Sequence, residues 1–119
     1  MATTINAETI KRMADEVGHD TLLLLLNVFS DELEQFFQQL SDQPSLSQVR
    51  EISHSIKSSA ASFGADELAM MAQECEFRVK QGQEQWMADH LPQFRQMVEG
   101  VAMEYKRLAS HDNPINCLS

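Results

Sequence analysis

The chain has 119 residues, 43% of them hydrophobic, with four Gly and three Pro, which is enough for one compact globular core and little for a second. Eighteen acidic residues against nine Lys and Arg give a formal net charge of −9, which argues against a nucleic-acid surface and for protein partners. The abundance of Ala, Leu, Gln, Glu and Met favours helix throughout.

The opening, MATTINAETIKRM, has no charged stretch followed by an apolar one, so no secretory signal is expected there. A short first helix is predicted from an Asn6 N-cap through Ile10, Met13 and Val17, stopped by Gly18. A second opens at Asp20 and sets Leu22, Leu26, Phe29, Leu33, Phe36 and Leu40 at steps of four and three. Its apolar run Leu22 to Leu26 is far short of the ~20 residues that span a bilayer. Leu23 and Leu24 exceed what one stripe hides, and are either covered by the first helix or partly exposed as a docking patch.

Gln43-Pro44 breaks the second helix, and Ser45 with Gln48 three residues on forms a capping box for the third. Its stripe is Leu46, Val49, Ser53, Ile56, Ala60 and Phe63, and Gly64 ends it. Asp66 is expected to cap a fourth helix, whose inner face carries Leu68, Met71 or Ala72, Cys75 and Val79, closed by Gly82. The last helix carries Met87, Leu91, Phe94, Val98, Val101, Tyr105 and Leu108, with Pro92 either in its first turn or kinking it. From Ser110 the pattern is lost, so 1–109 reads as one domain and 110–119 as a disordered tail. Long amphipathic helices joined by short loops imply an all-α, antiparallel up-down-up-down four-helix bundle, with the short first helix capping one end.

Cys75 and Cys117 lie far apart without CxxC or Cys/His spacing, which suits a reduced, cytoplasmic chain. His19, His90 and His111 lack the pairing of a metal site, and the inward Glu and Glu-x-x-His pairs of a di-metal bundle are missing.

His54 differs from the other histidines. At about 100° per residue it lies about 160° round from Ile52 and from Ile56, and so points away from the buried stripe. Lys57, Ser58 and Ala61 follow on the same outer face, with Arg50 one turn earlier, making a basic, small-sided strip in an acidic protein. An exposed imidazole offers a nitrogen lone pair near neutral pH and can carry a covalent intermediate. A phosphoryl group on it would be doubly negative, and Lys57 could partner its oxygens. Ser58, Ala61 and Ser62 leave room for another protein's active site. Gln35, Gln38 and Gln39 of the second helix could orient the ring, and Met70 and Met71 could serve as core filler or as an adaptable contact.

The stretch HSIKSSAASFGADEL resembles the signature of the histidine-phosphotransfer (HPt) family, roughly H-x-L-K-G-S-S-x-x-x-G-A-x-x-L, and the helix pattern extends the resemblance over about residues 6 to 109. EISHSIKSSAASFGAD is nearer still to the small monomeric members that serve bacterial quorum-sensing relays. The resemblance implies that His54 is the phosphorylated residue, at Nε2, that Lys57 steadies the phosphoryl group, and that Gly64 is the helix stop. It matches Glu76 to an acid often found on the next helix, with a structural role. Many members have Gly where this chain has Ser58, a difference that bears on docking geometry. Arg50, Ser58, Ala61, Ser62 and Leu23 are the expected docking residues.

By the same resemblance the chain would be a carrier between two receiver domains, one of a hybrid sensor kinase and one of a response regulator. Those receivers would supply Mg²⁺ and most of the catalysis, and this chain would bind no cofactor. Sensor-kinase helices follow their His with an acid, whereas Ser55 follows here, and no Gly-rich nucleotide loop is present, so no autokinase activity is expected. The alternative is a helical adaptor that binds a receiver or kinase without transferring phosphate.

Overall fold

A computed structural model describes residues 5–110 as five helices: α1 (Ala7–Val17), α2 (His19–Ser41), α3 (Leu46–Ser62), α4 (Asp66–Lys80) and α5 (Glu84–Ala109). No strand occurs among the described residues. The tail expected at 110–119 lies outside them, apart from Ser110.

The local signals explain most of the boundaries. The Asn6 side chain accepts the Thr9 N–H at 3.2 Å and opens α1. Gly18, at φ +84°, donates its N–H to the Ala14 carbonyl and at once accepts from Leu22 N, so one glycine closes α1 and opens α2 at His19, one residue before Asp20. Ser45 and Gln48 form the reciprocal capping box of α3.

One further boundary differs from the sequence expectation, and one that the sequence left open is settled. Ala65, not Asp66, is the N-cap of α4; Asp66 stands in the first turn, where its carboxylate favours the helix dipole and accepts from Asn6 Nδ2 at 3.1 Å. Helix α5 begins at Glu84, so Pro92 sits in its interior, where the missing N–H leaves the Ala88 carbonyl without its helical donor.

The helices form two pairs, α2 on α5 and α3 on α4, joined along α4–α5 and α2–α3 into an elongated bundle of 43 × 24 × 22 Å. Short links make each of the four bundle helices α2 to α5 antiparallel to the next. The apolar stripes meet along the axis in Leu26, Leu33, Ile56, Leu68, Phe94 and Val98, each with no exposed surface. Truncating such a side chain to Ala costs about 2–5 kcal/mol. The two buried serines are satisfied: Ser30 Oγ donates to the Ala102 carbonyl at 2.7 Å, tying α2 to α5, and Ser53 Oγ donates to the Val49 carbonyl at 2.6 Å within α3.

Helix α1 closes one end. Asn6 N donates to the Gly64 carbonyl at 2.8 Å, seating the start of α1 on the α3–α4 turn. Beneath it Phe63 stacks on Phe29 with centroids 4.5 Å apart, Tyr105 meets Phe29 edge-on, and Tyr105 Oη donates to the Phe63 carbonyl at 2.6 Å. The end of α3 is thereby held from α1, α2 and α5, which fixes the rotation of the helix that carries His54.

Candidate functional site

Helix α3 buries Val49, Ile52, Ser53, Ile56 and Ala60 and turns His54 outward, its side chain 67% exposed. The facing helix α4 buries Leu68, Ala72 and Cys75, and beside them Glu76, whose side chain is 6% exposed. A carboxylate that deep requires charge and hydrogen-bond partners, and Glu76 has three. Lys57 Nζ donates to Oε1 at 2.7 Å, His54 Nδ1 lies 2.8 Å from Oε2, and Lys80 Nζ lies 3.3 Å from the same Oε2. The hydrogen bond from Lys57 lowers the carboxyl pKa most; burial opposes it, His54 and Lys80 add to it, and the pKa is held down to about 2.

The ionised carboxylate can only accept, so the proton of the imidazole sits on Nδ1 and is donated to Glu76. Nε2 is left with its lone pair, directed away from the carboxylate on a ring that is mostly in solvent. Glu76 thus orients the ring, selects its tautomer and stands ready to balance positive charge on it, as a buried carboxylate does for the histidine of a serine-protease triad.

Beside the imidazole is an open hollow of about 590 Å³, lined by Ser47, Arg50, Glu51, His54, Ser55, Glu76 and Lys80. Ser58, Ala61 and Ser62 are exposed along α3, and Gly64, at φ +79°, ends the helix. Ser58, Ala61, Ser62 and Arg50 share the outer surface of α3 with His54. Leu23 does not join them: it is half-buried and lies seven residues from Ser30, hence on the side of α2 that bonds α5. Leu24 and Val28, at 62% and 55% exposure, are the open apolar residues of α2.

The ring-orienting hydrogen bond comes from α4 and not from α2. Gln38 donates to Glu34 within its own helix, and Gln35 and Gln39 are exposed. Glu76, expected to be structural, instead touches the imidazole, and Lys80 was missed. The sequence does contain a signal for both: an acid four residues after Ala72 and three before Val79 sits beside the apolar face of α4, with a lysine at i+4. His19 is on α2 and His90 on α5, where His90 stacks on Trp86 at 3.9 Å; His111 lies outside the described residues.

The Hpt domain family model matches residues 24–104, which takes in the site and reaches from within α2 to within α5. The chain belongs to the Hpt domain family. Among curated relatives it is similar to the phosphorelay protein LuxU of Vibrio cholerae, 43% identical over 82 residues, 66% of this chain and 73% of that protein. Against LuxU of Vibrio vulnificus it is 41% identical over 81 residues, 66% and 70% of the two chains. Against LuxU of Vibrio harveyi it is 38% identical over 71 residues, 57% and 62%. No solved structure matches the chain. Among the described residues, no helix of this Hpt protein is long and apolar enough to cross a membrane.

Proposed function

We propose that this Hpt protein carries phosphoryl groups in a bacterial two-component phosphorelay of the quorum-sensing kind. His54 accepts the group from the receiver domain of a hybrid sensor kinase and returns it to the receiver domain of a response regulator. The observation that carries this reading is the hydrogen bond between His54 Nδ1 and Glu76, which leaves Nε2 as an exposed nucleophile.

The Nε2 lone pair attacks phosphorus as the P–O bond to the receiver's aspartate breaks, and the aspartate leaves as a carboxylate. The Nδ1 proton stays where it is. The phosphorylated ring is an imidazolium whose charge Glu76 balances, and this favours both formation of the N–P bond and a ring able to leave in the onward transfer. Lys57, one turn along, is in reach of the phosphoryl oxygens. Mg²⁺ and most of the transition-state stabilisation come from the receiver, so this chain is a carrier without autokinase activity. It works as a cytoplasmic monomer, with Arg50, Ser58, Ala61 and Ser62 under the docked receiver.

The test is to mix the protein with a phosphorylated receiver domain and Mg²⁺ and to locate acid-labile, base-stable phosphate by mass spectrometry. Label on His54, lost in His54→Gln while the helical circular dichroism is kept, is the expected result. Binding without label from any of several receivers would instead identify an adaptor.

A further inference from the structure

The cations around His54 lie on two sides. Lys57 follows His54 by three residues, towards Gly64. Arg50 precedes it by four, and because α4 runs antiparallel to α3, Lys80 beyond Glu76 lies on that same side. The hollow beside the imidazole is on the Arg50 and Lys80 side, and Lys57 does not line it.

The ammonium groups also differ in how they are held. Lys57 bonds Oε1 at 2.7 Å. Lys80, 48% exposed, is at 3.3 Å from Oε2, an oxygen that already accepts the imidazole N–H at 2.8 Å. Lys80 is the looser of the two, and its departure leaves Glu76 with two donors. Arg50 is exposed. Glu51 also lines the hollow, and is exposed to solvent that screens it.

Resting on the reading of His54 as the phosphoryl acceptor, we infer that Lys80 and Arg50 are two further phosphoryl-binding cations. When Nε2 carries the group, its oxygens project over the hollow, Lys80 swings to them from Glu76 Oε2, and the Arg50 guanidinium closes the other wall. Lys57 keeps its bond to Glu76 Oε1 and meets the group from the opposite side. The phosphorylated site is then clasped from α3 and α4 together.

The experiment phosphorylates the whole protein with phosphoramidate, whose P–N bond breaks as Nε2–P forms and ammonia leaves, so no partner's docking enters. The second ionisation of the phosphoryl group is then followed by the pH dependence of its ³¹P shift. Nearby cations favour the dianion, so Lys80→Gln and Arg50→Gln should each move the midpoint up by about half a unit, and Lys80→Arg should restore it. The ¹⁵N shifts of the unphosphorylated imidazole should be unchanged in Lys80→Gln, because Lys57 still holds Glu76; a change there would make Lys80 a support of the ring alone and overturn the inference. Label on His54 with wild-type midpoints in both Gln variants would overturn it and leave the carrier role standing. Failure of the wild-type protein to take label from phosphoramidate or from a receiver would remove both.

Discussion

His54 and Glu76 are joined across two antiparallel helices by a 2.8 Å hydrogen bond in which one partner is two-thirds in water and the other almost wholly out of it. The pairing puts the ordering element in the protein and the reactive nitrogen in solvent. Glu76→Gln keeps the shape and removes the charge, and a hydrogen bond to a charged group contributes about 1.5–3 kcal/mol. Phosphotransfer onto His54 should fall roughly 10- to 100-fold by that measure. Single-turnover transfer from a labelled receiver, with ¹⁵N spectra reporting a mixed tautomer population, checks it.

Glu76 also sets an acid limit on stability. Its folded pKa of about 2 lies below the ordinary 4.5, so on acidification the unfolded chain takes up this proton first. The stabilisation is complete above about pH 4.5 and drains away as the pH falls towards 2. Urea unfolding followed from neutral pH down to about 2 should show that loss, and Glu76→Gln should lack this part of it.

Lys57 is the donor that lowers the Glu76 pKa most. Lys57→Ala should fold, since its side chain is 38% exposed and fills no core position. Its acid-unfolding limb should move to higher pH, and phosphotransfer should slow. Unchanged transfer and an unchanged acid limb together would remove Lys57 from the site.

Gly64→Ala tests the seat of α1. At φ +79° an L side chain is strained, and a Cβ would come within 3.0 Å of the Asn6 carbonyl oxygen and 3.1 Å of Thr9 Cβ. The expected cost is about 2 kcal/mol, a loss of several degrees in Tm, with His54 still able to accept a phosphoryl group. Thermal unfolding paired with the labelling assay separates the two effects.

Tyr105→Phe removes the hydroxyl that donates to the Phe63 carbonyl and leaves that acceptor without this donor. A loss of about 1–2 kcal/mol is expected, read as a lower urea midpoint with unchanged slope.

The helices were legible because their signals are local. Asn6, the Ser45/Gln48 box and the glycines at 18 and 64 each act within a turn of their own position, and the apolar steps of four and three state which face is buried. The outward turn of His54 followed from the same arithmetic. Asp66 was misplaced by one residue because its carboxylate answers to Asn6, sixty residues away. The partner of the imidazole was sought on α2 and found on α4, since which neighbour a ring leans towards depends on how two helices are rotated against each other. Leu23 was drawn to the wrong side for the same reason. Pro92 left the start of α5 open between its own turn and an earlier one, and buried Met87 with the first-turn acid Glu84 places that start before it.

The lysines that flank His54 are not waiting empty-handed. Glu76 is a resident anion, covalently part of the fold, that already occupies them both. Free phosphate or chloride arriving from solution has to compete with a carboxylate of very high local concentration, whereas a phosphoryl group bonded to the ring is itself tethered and competes on equal terms. The site therefore distinguishes attached phosphate from dissolved phosphate, and remains ready for its partners in a medium rich in simple anions.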